Sequence, residues 1–184
     1  RITLLRKRLE ENAADAFADF ELVQALWEDG RREEALDRCR DLAARENLPD
    51  AVLDAVAVFL FDRKELEVAR ACFDQIAERH PERAMPAYFL GRIFDRMGMR
   101  EESIQAHRRA IALEPENAEC YYRYGVTLAR NERREEAETY YRRAIEIDNA
   151  HSKAYTNLGC LLDLRGDGDQ AIALFRKALQ YDPN

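Results

Sequence analysis

Small and large apolar positions return along this chain with a long, fixed period. The stretches "NAECYYRYGVTLARNERREEAETYYRRAIEIDN" and "HSKAYTNLGCLLDLRGDGDQAIALFRKALQYDP" superimpose without a gap when the second is shifted by 34 residues. Counting from Ala16, Asp50, Ala84, Ala118 and Ser152, the eighth position holds Val23, Ala57, Gly91, Gly125 and Gly159. The twentieth holds Ala35, Ala69, Ser103, Ala137 and Ala171, and the eleventh Leu26, Leu60, Phe94, Leu128 and Leu162. Asn47, Pro81, Pro115, Asn149 and Pro183 occupy the thirty-second. Small residues thus recur where two helices must approach closely, large apolar ones where a gap must be filled, and a turn former where one unit ends.

Each period is expected to be one pair of antiparallel helices. In the fourth, the first helix is predicted over 118–131 and the second over 134–148. The two are joined by a turn that recurs as "EDGRREEA", "FDRKELEVA", "RMGMREES", "RNERREEA" and "RGDGDQA". That register decides the reading of "RGDGDQ". It is the fifth copy of a structural turn, in which Gly supplies permissive dihedrals and acidic residues sit at the positive end of the next helix. It lacks the G-x-x-x-x-G-K-[ST] of a phosphate loop and the ligand spacing and final Glu of a calcium loop. Ahead of the first period, residues 1–15 form an amphipathic segment. Ile2, Leu5 and Leu9 stand at helical spacing, with Arg6, Lys7 and Arg8 between them.

The pattern resembles the tetratricopeptide repeat, whose signature is an aromatic, Leu-Gly and Tyr, then Ala, Phe and Pro. Tyr121, Tyr124, Gly125, Ala137, Tyr141 and Ala144 match it in one repeat, and Tyr155, Leu158, Gly159, Ala171, Phe175, Ala178 and Pro183 in the next. The first two repeats depart from it. Asp19 stands in place of the first aromatic, Val23 in place of Gly, and Cys39 in place of the Phe or Tyr. The resemblance implies an all-α, right-handed solenoid of antiparallel helix pairs forming one domain. Residues 1–15 lead, as a cap or a damaged repeat, and five repeats follow at 16–49, 50–83, 84–117, 118–151 and 152–184. With no polar capping helix after "YDPN", the exposed ends are expected either to continue in a longer parent protein or to support self-association.

Composition narrows the function. Glycine and proline are few, at 7 and 5, which favours helix. The formal charge of -7 speaks against a general nucleic-acid or acidic-membrane binder. No apolar run reaches the roughly 20 residues that cross a bilayer. The chain opens without an initiator Met or a signal-peptide core, so any targeting segment is expected upstream. Cys39, Cys72, Cys120 and Cys160 are scattered, which predicts reduced thiols in a soluble, cytoplasmic protein, each a small core residue. His107 falls where aromatics pack, and His80 and His151 fall between repeats. No nucleophile motif and no metal-ligand spacing is present, so catalytic residues, cofactor and metal are all expected to be absent.

What remains is a surface. The resemblance implies that helix A side chains at about positions 2, 5, 6, 9, 12 and 13 line a concave groove for extended or helical peptides. Carried over, the candidate peptide-binding residues are Phe20, Trp27 and Phe61 in an aromatic, acidic half. Tyr88, Arg92, Arg96, Tyr122, Arg123, Arg130, Lys153 and Asn157 make a basic, tyrosine-bearing half. The first two repeats together carry seven more acidic than basic residues, which supports that division. Ligand carboxylates are therefore expected toward Arg92, Arg123 and Lys153, and apolar or basic residues toward Phe20, Trp27 and Phe61. Some members of the family clamp a C-terminal carboxylate with five Lys, Asn and Arg residues. The matching positions are Tyr88, Arg92, Arg123, Lys153 and Asn157, of which only Lys153 agrees in type. The expected role is a non-enzymatic adaptor for a protein or peptide partner, bearing acidic residues or a free C-terminal carboxylate. A self-assembling solenoid, or the recruiting region of a larger enzyme such as a glycosyltransferase, is the alternative.

Overall fold

The computed structural model describes residues 1–183, and within them all regular structure is helical. The helices are α1 (Ile2–Glu11), α2 (Ala16–Glu28), α3 (Arg32–Ala43), α4 (Asp50–Asp62), α5 (Leu66–Arg79), α6 (Ala84–Met97), α7 (Arg100–Leu113), α8 (Ala118–Arg130), α9 (Arg134–Ile147), α10 (Ser152–Arg165) and α11 (Gly168–Tyr181). From α2 onward the even-numbered helices start at Ala16, Asp50, Ala84, Ala118 and Ser152, and the odd ones at Arg32, Leu66, Arg100, Arg134 and Gly168. Both series step by 34 residues. The chain is thus an α-solenoid of helix pairs, and it divides into two compact units, Arg1–His80 and Pro81–Asn184.

In the first unit α1 lies on α2, with Leu5 buried and Arg1, Arg6 and Arg8 paired with Glu28, Glu34 and Asp15. Asp15 also caps α2, accepting the Ala18 N–H at 3.0 Å. Asp19, in the slot of an aromatic, is 2% exposed and held by both Arg38 and Arg45. Such a carboxylate is tolerated inside only while paired, and with both arginines lost the uncompensated charge would cost about 3–5 kcal/mol.

Helices α6 to α11 of the second unit form three pairs, each closed by a small residue against a ring sixteen positions later. A Cβ on Gly91 would lie 2.5 Å from the His107 ring, on Gly125 2.7 Å from Tyr141, and on Gly159 2.6 Å from Phe175. The rings therefore rest directly on helix backbone, and any larger residue would force the pairs apart.

One turn geometry ends every even-numbered helix. Gly30, Lys64, Gly98, Glu132 and Gly166 all adopt positive φ, from 64° to 95°. The next N–H reaches back to the carbonyl five residues earlier: Arg31 to Leu26, Glu65 to Leu60, Met99 to Phe94, Arg133 to Leu128 and Asp167 to Leu162, at 2.9–3.0 Å. This is the Schellman closure, and it normally takes glycine. The "RGD" of residues 165–167 is one copy of it. Arg165 spends its guanidinium on Asp167 at 2.6 Å and Glu138 at 2.8 Å. Lys64 and Glu132 bear the left-handed penalty of a Cβ that glycine avoids. Glu132→Gly is therefore expected to raise stability by about 0.5–1 kcal/mol after the entropy gained by the unfolded chain is subtracted, read as a higher urea midpoint.

Candidate functional site

In the second unit, helices α6, α8 and α10 bring most of the expected basic half together. Its centre is a carboxylate. Glu119, at the start of α8, accepts hydrogen bonds from the Tyr88 hydroxyl at 3.2 Å, Arg123 Nε at 2.6 Å and His151 Nε2 at 3.2 Å. The His151 tautomer follows from its other nitrogen. Nδ1 accepts the Ala154 N–H at 3.2 Å and caps α10, so Nε2 carries the proton given to Glu119. Burial opposes the charge on Glu119, but His151 and Arg123 outweigh it and hold the carboxyl down at about 2. Burial likewise works against the Arg123 cation, and Glu119 more than restores it.

On α6, Arg92 lies over Tyr88 and Phe89, its guanidinium carbon 5.3 and 5.5 Å from the ring centres, and donates to the Tyr88 hydroxyl at 3.3 Å. Burial pushes the Arg92 pKa below its ordinary value, and raises that of Tyr88. Tyr122 is 8% exposed, wedged between Tyr141 and His151 with ring centres 6.0 and 4.9 Å away. It is a wall of the site more than a contact surface. Beyond it, a pocket of about 460 Å³ opens between α8 and α10. Val126, Ala129 and Leu161 line its apolar part, with Arg123 and Arg130 seven residues apart on α8 and Asn157 and Cys160 on α10. Asn157 Nδ2 donates to the Tyr141 hydroxyl at 3.4 Å. Arg130 and Lys153 are exposed, and neither has a hydrogen bond or ion pair among the described residues.

Several expectations change. Ligand carboxylates were assigned to Arg123, yet Glu119 already occupies it. The five clamp positions are likewise committed in part, with Arg123 on Glu119 and Asn157 on Tyr141. Phe61 is 1% exposed and belongs to the core, so it offers no surface to a ligand. Asp95, which holds the same twelfth position, also turns inward. It accepts Ser103 Oγ at 2.8 Å and Thr127 Oγ1 at 2.7 Å, with the fully buried His107 at 3.5 Å. Phe61 and Asp95 both lie next to the core-facing eleventh position and pack between helices, whereas Asp163, at the twelfth position of the last repeat, is exposed. Cys160 is exposed on the pocket wall, not a core residue, whereas Cys39, Cys72 and Cys120 are buried. Burial pushes those three thiols up to about 12, 11 and 12.

The aromatic half belongs to the first unit. Phe20 and Trp27 each meet Phe59 edge to face at 5.7 Å, and Arg63 lies 3.6 Å over Phe59. Phe17 is 56% exposed beside them on α2. Arg96 is exposed at the C-terminal end of α6. Among the described residues no helix is long and apolar enough to cross a membrane.

The depressed Glu119 carboxyl has a pH consequence. Its ionised form is favoured by the fold, so its contribution is complete above its ordinary pKa of 4.5 and is lost as the pH falls toward about 2. Urea unfolding of the wild type and Glu119→Gln at pH 7, 4.5 and 2.5 is expected to show the wild type's advantage at pH 7 shrinking at pH 2.5. An advantage independent of pH would contradict the hydrogen-bonding assignment.

The chain resembles MamA, with 21% identity over 88% of this chain and 95% of that one and a TM-score of 0.74. MamA from residue 41 onward of Desulfovibrio magneticus RS-1 gives 20% identity, coverage of 92% and 96%, and a TM-score of 0.74. YrrB, described as a TPR protein with an unusual peptide-binding site, gives 20%, coverage of 100% and 95%, and 0.65. At such identities the likeness concerns the fold. No curated protein matches the sequence. Tetratricopeptide repeat models match residues 90–152 and 152–184, together more than half the chain. With the 34-residue step of its helix pairs and the ring-on-glycine closures, the chain belongs to the tetratricopeptide repeat family.

Proposed function

We propose that this protein is a non-enzymatic scaffold, a leading helix followed by five repeats, whose α6–α8–α10 face holds a peptide segment of a partner protein. The observation that carries the reading is the concentration of cationic and aromatic side chains on that face beside a partly apolar pocket, with Tyr88, Arg92 and Arg123 held in place by one another and by Glu119. A preformed site of this kind spends little entropy on ordering its side chains when a ligand arrives. The peptide-binding site named for YrrB, of similar fold, agrees with this use of the scaffold. Partners with acidic residues fit best, because the unpaired cations Arg130 and Lys153 stand on this face and steer an anionic segment to it.

A second reading rests on a separate surface. Leu164 of α10 and Ile172, Leu179 and Tyr181 of α11 are 72%, 50%, 61% and 43% exposed, large apolar side chains that self-association would cover.

Two measurements separate the readings. A pull-down from source lysate, read by mass spectrometry, is expected to capture specific proteins on the wild type and lose them on a folded Arg130→Glu, Lys153→Glu variant. The same captured set on both would count against the face. Light scattering after size exclusion over a concentration series is expected to give a monomer mass throughout, and a mass that climbs with concentration and falls for Leu179→Glu would favour self-assembly.

A further inference from the structure

Resting on the peptide-binding reading, we infer that Arg130, not Arg123, is the anion anchor of the α8–α10 pocket, and that the segment bound there pairs an acidic residue with an aliphatic one. Both arginines line the pocket, on one face of α8 and seven residues apart. Their surroundings differ. Arg123 gives Nε to Glu119, whose carboxylate is fixed from three directions by Arg123, Tyr88 and His151. A ligand carboxylate arriving there would meet an ionised Glu119 at close range and would have to break hydrogen bonds spanning α6, α8 and the α10 cap. Arg130 has no such internal partner and is exposed at the other end of the pocket.

The stretch between the two arginines is apolar, made by Val126 and Ala129 of α8 and Leu161 of α10. Seven helical residues span about 10 Å, so the apolar stretch lies about 5 Å from the Arg130 end. An extended peptide advances about 3.3 Å per residue with its side chains alternating between faces, which places the aliphatic side chain two positions from the acidic one. Glu119 thus acts as an internal occupant that denies the Arg123 end to acidic residues and sets the direction in which the segment lies.

Cys160 supplies a reporter, since it stands on the pocket wall and the other three cysteines are buried. The probe is an immobilised library of randomised nine-residue peptides, selected on the full chain. Selected peptides are then tested for slowing maleimide alkylation of Cys160. On the wild type we expect an acidic residue enriched about tenfold over Lys, two positions from Leu, Ile or Val, the size of effect that one charge-assisted hydrogen bond gives. Arg130→Gln is expected to lose the acidic enrichment and keep the aliphatic one. Glu119→Gln, confirmed as folded by circular dichroism, is expected to gain a second acidic preference about two to four positions from the first, on the same face. Acidic enrichment that survives in Arg130→Gln and disappears in Arg123→Gln would overturn this assignment while leaving the scaffold reading intact. Selected peptides that leave Cys160 alkylation unchanged would do the same. A library from which the wild type retains nothing would overturn both.

Discussion

Everything in this molecule rests on how closely two helices can approach at one point in each pair. In the second unit that point is a glycine pressed against a ring, at Gly91 with His107, Gly125 with Tyr141 and Gly159 with Phe175. The contact sets the tilt of each pair, and the tilt sets which side chains of α6, α8 and α10 face the same way. Without it, Tyr88, Glu119, Arg123 and His151 would not converge, because they come from two helices and the cap of a third. The first unit meets the same constraint with other volumes. Ala57 and Phe73 keep the small-to-large order, while Val23 and Cys39 reverse it, and all four are fully buried. What the close approach demands is a conserved sum of volumes across the pair of positions, more than a particular glycine.

The carboxylates of Asp19 and Asp95 enter the interior where several partners receive them. Asp19 is admitted by two arginines that stay half-exposed, so the charge is paired without either guanidinium being fully desolvated. Asp95 is admitted differently, by two hydroxyls and His107. Its carboxyl lies below the ordinary range because these hydrogen bonds outweigh the burial that opposes them. Thr127 belongs to α8 while Asp95 ends α6, so this network also fixes one even-numbered helix against the next. At Asp95 the α6–α8–α10 face and the core are therefore joined.

Much of this was legible in the sequence because the fold is periodic. A 34-residue step, small residues at the eighth position and turn formers at the end of each period announce helix pairs before any contact is known. The fourth pair, expected over 118–131 and 134–148, spans Ala118–Arg130 and Arg134–Ile147. Left-handed turns were legible at Gly30, Gly98 and Gly166 but not at Lys64 and Glu132, where the hydrogen-bonded closure overrides residue preference. The site was legible only as a list of positions. Periodicity says which residues face one way; it does not say which charges cancel. Phe61 and Asp95 turn inward, and Glu119 becomes the hub, for reasons that lie in side chains from neighbouring helices. One signal was available for Glu119: an acidic residue one turn before Arg123 on an otherwise basic face, the spacing at which the two pair.

That distinction bears on how charge should be counted on such surfaces. The chain is acidic overall, at -7, and its second unit holds 16 basic and 17 acidic residues, so net charge alone would suggest no affinity for an anion. A number of those charges are spent close to home, as in the pairs of Arg133 with Glu136, Arg142 with Glu138 and Arg165 with Asp167. Exposed pairs of this kind contribute little to stability, but they remove both members from the field that a ligand feels. In the proposed role, recognition is left to cations with no internal partner. On the α6–α8–α10 face Arg130 and Lys153 are of that kind, and in the proposed reading it is the place of Arg130 on the apolar pocket, not the number of arginines nearby, that gives the face a direction.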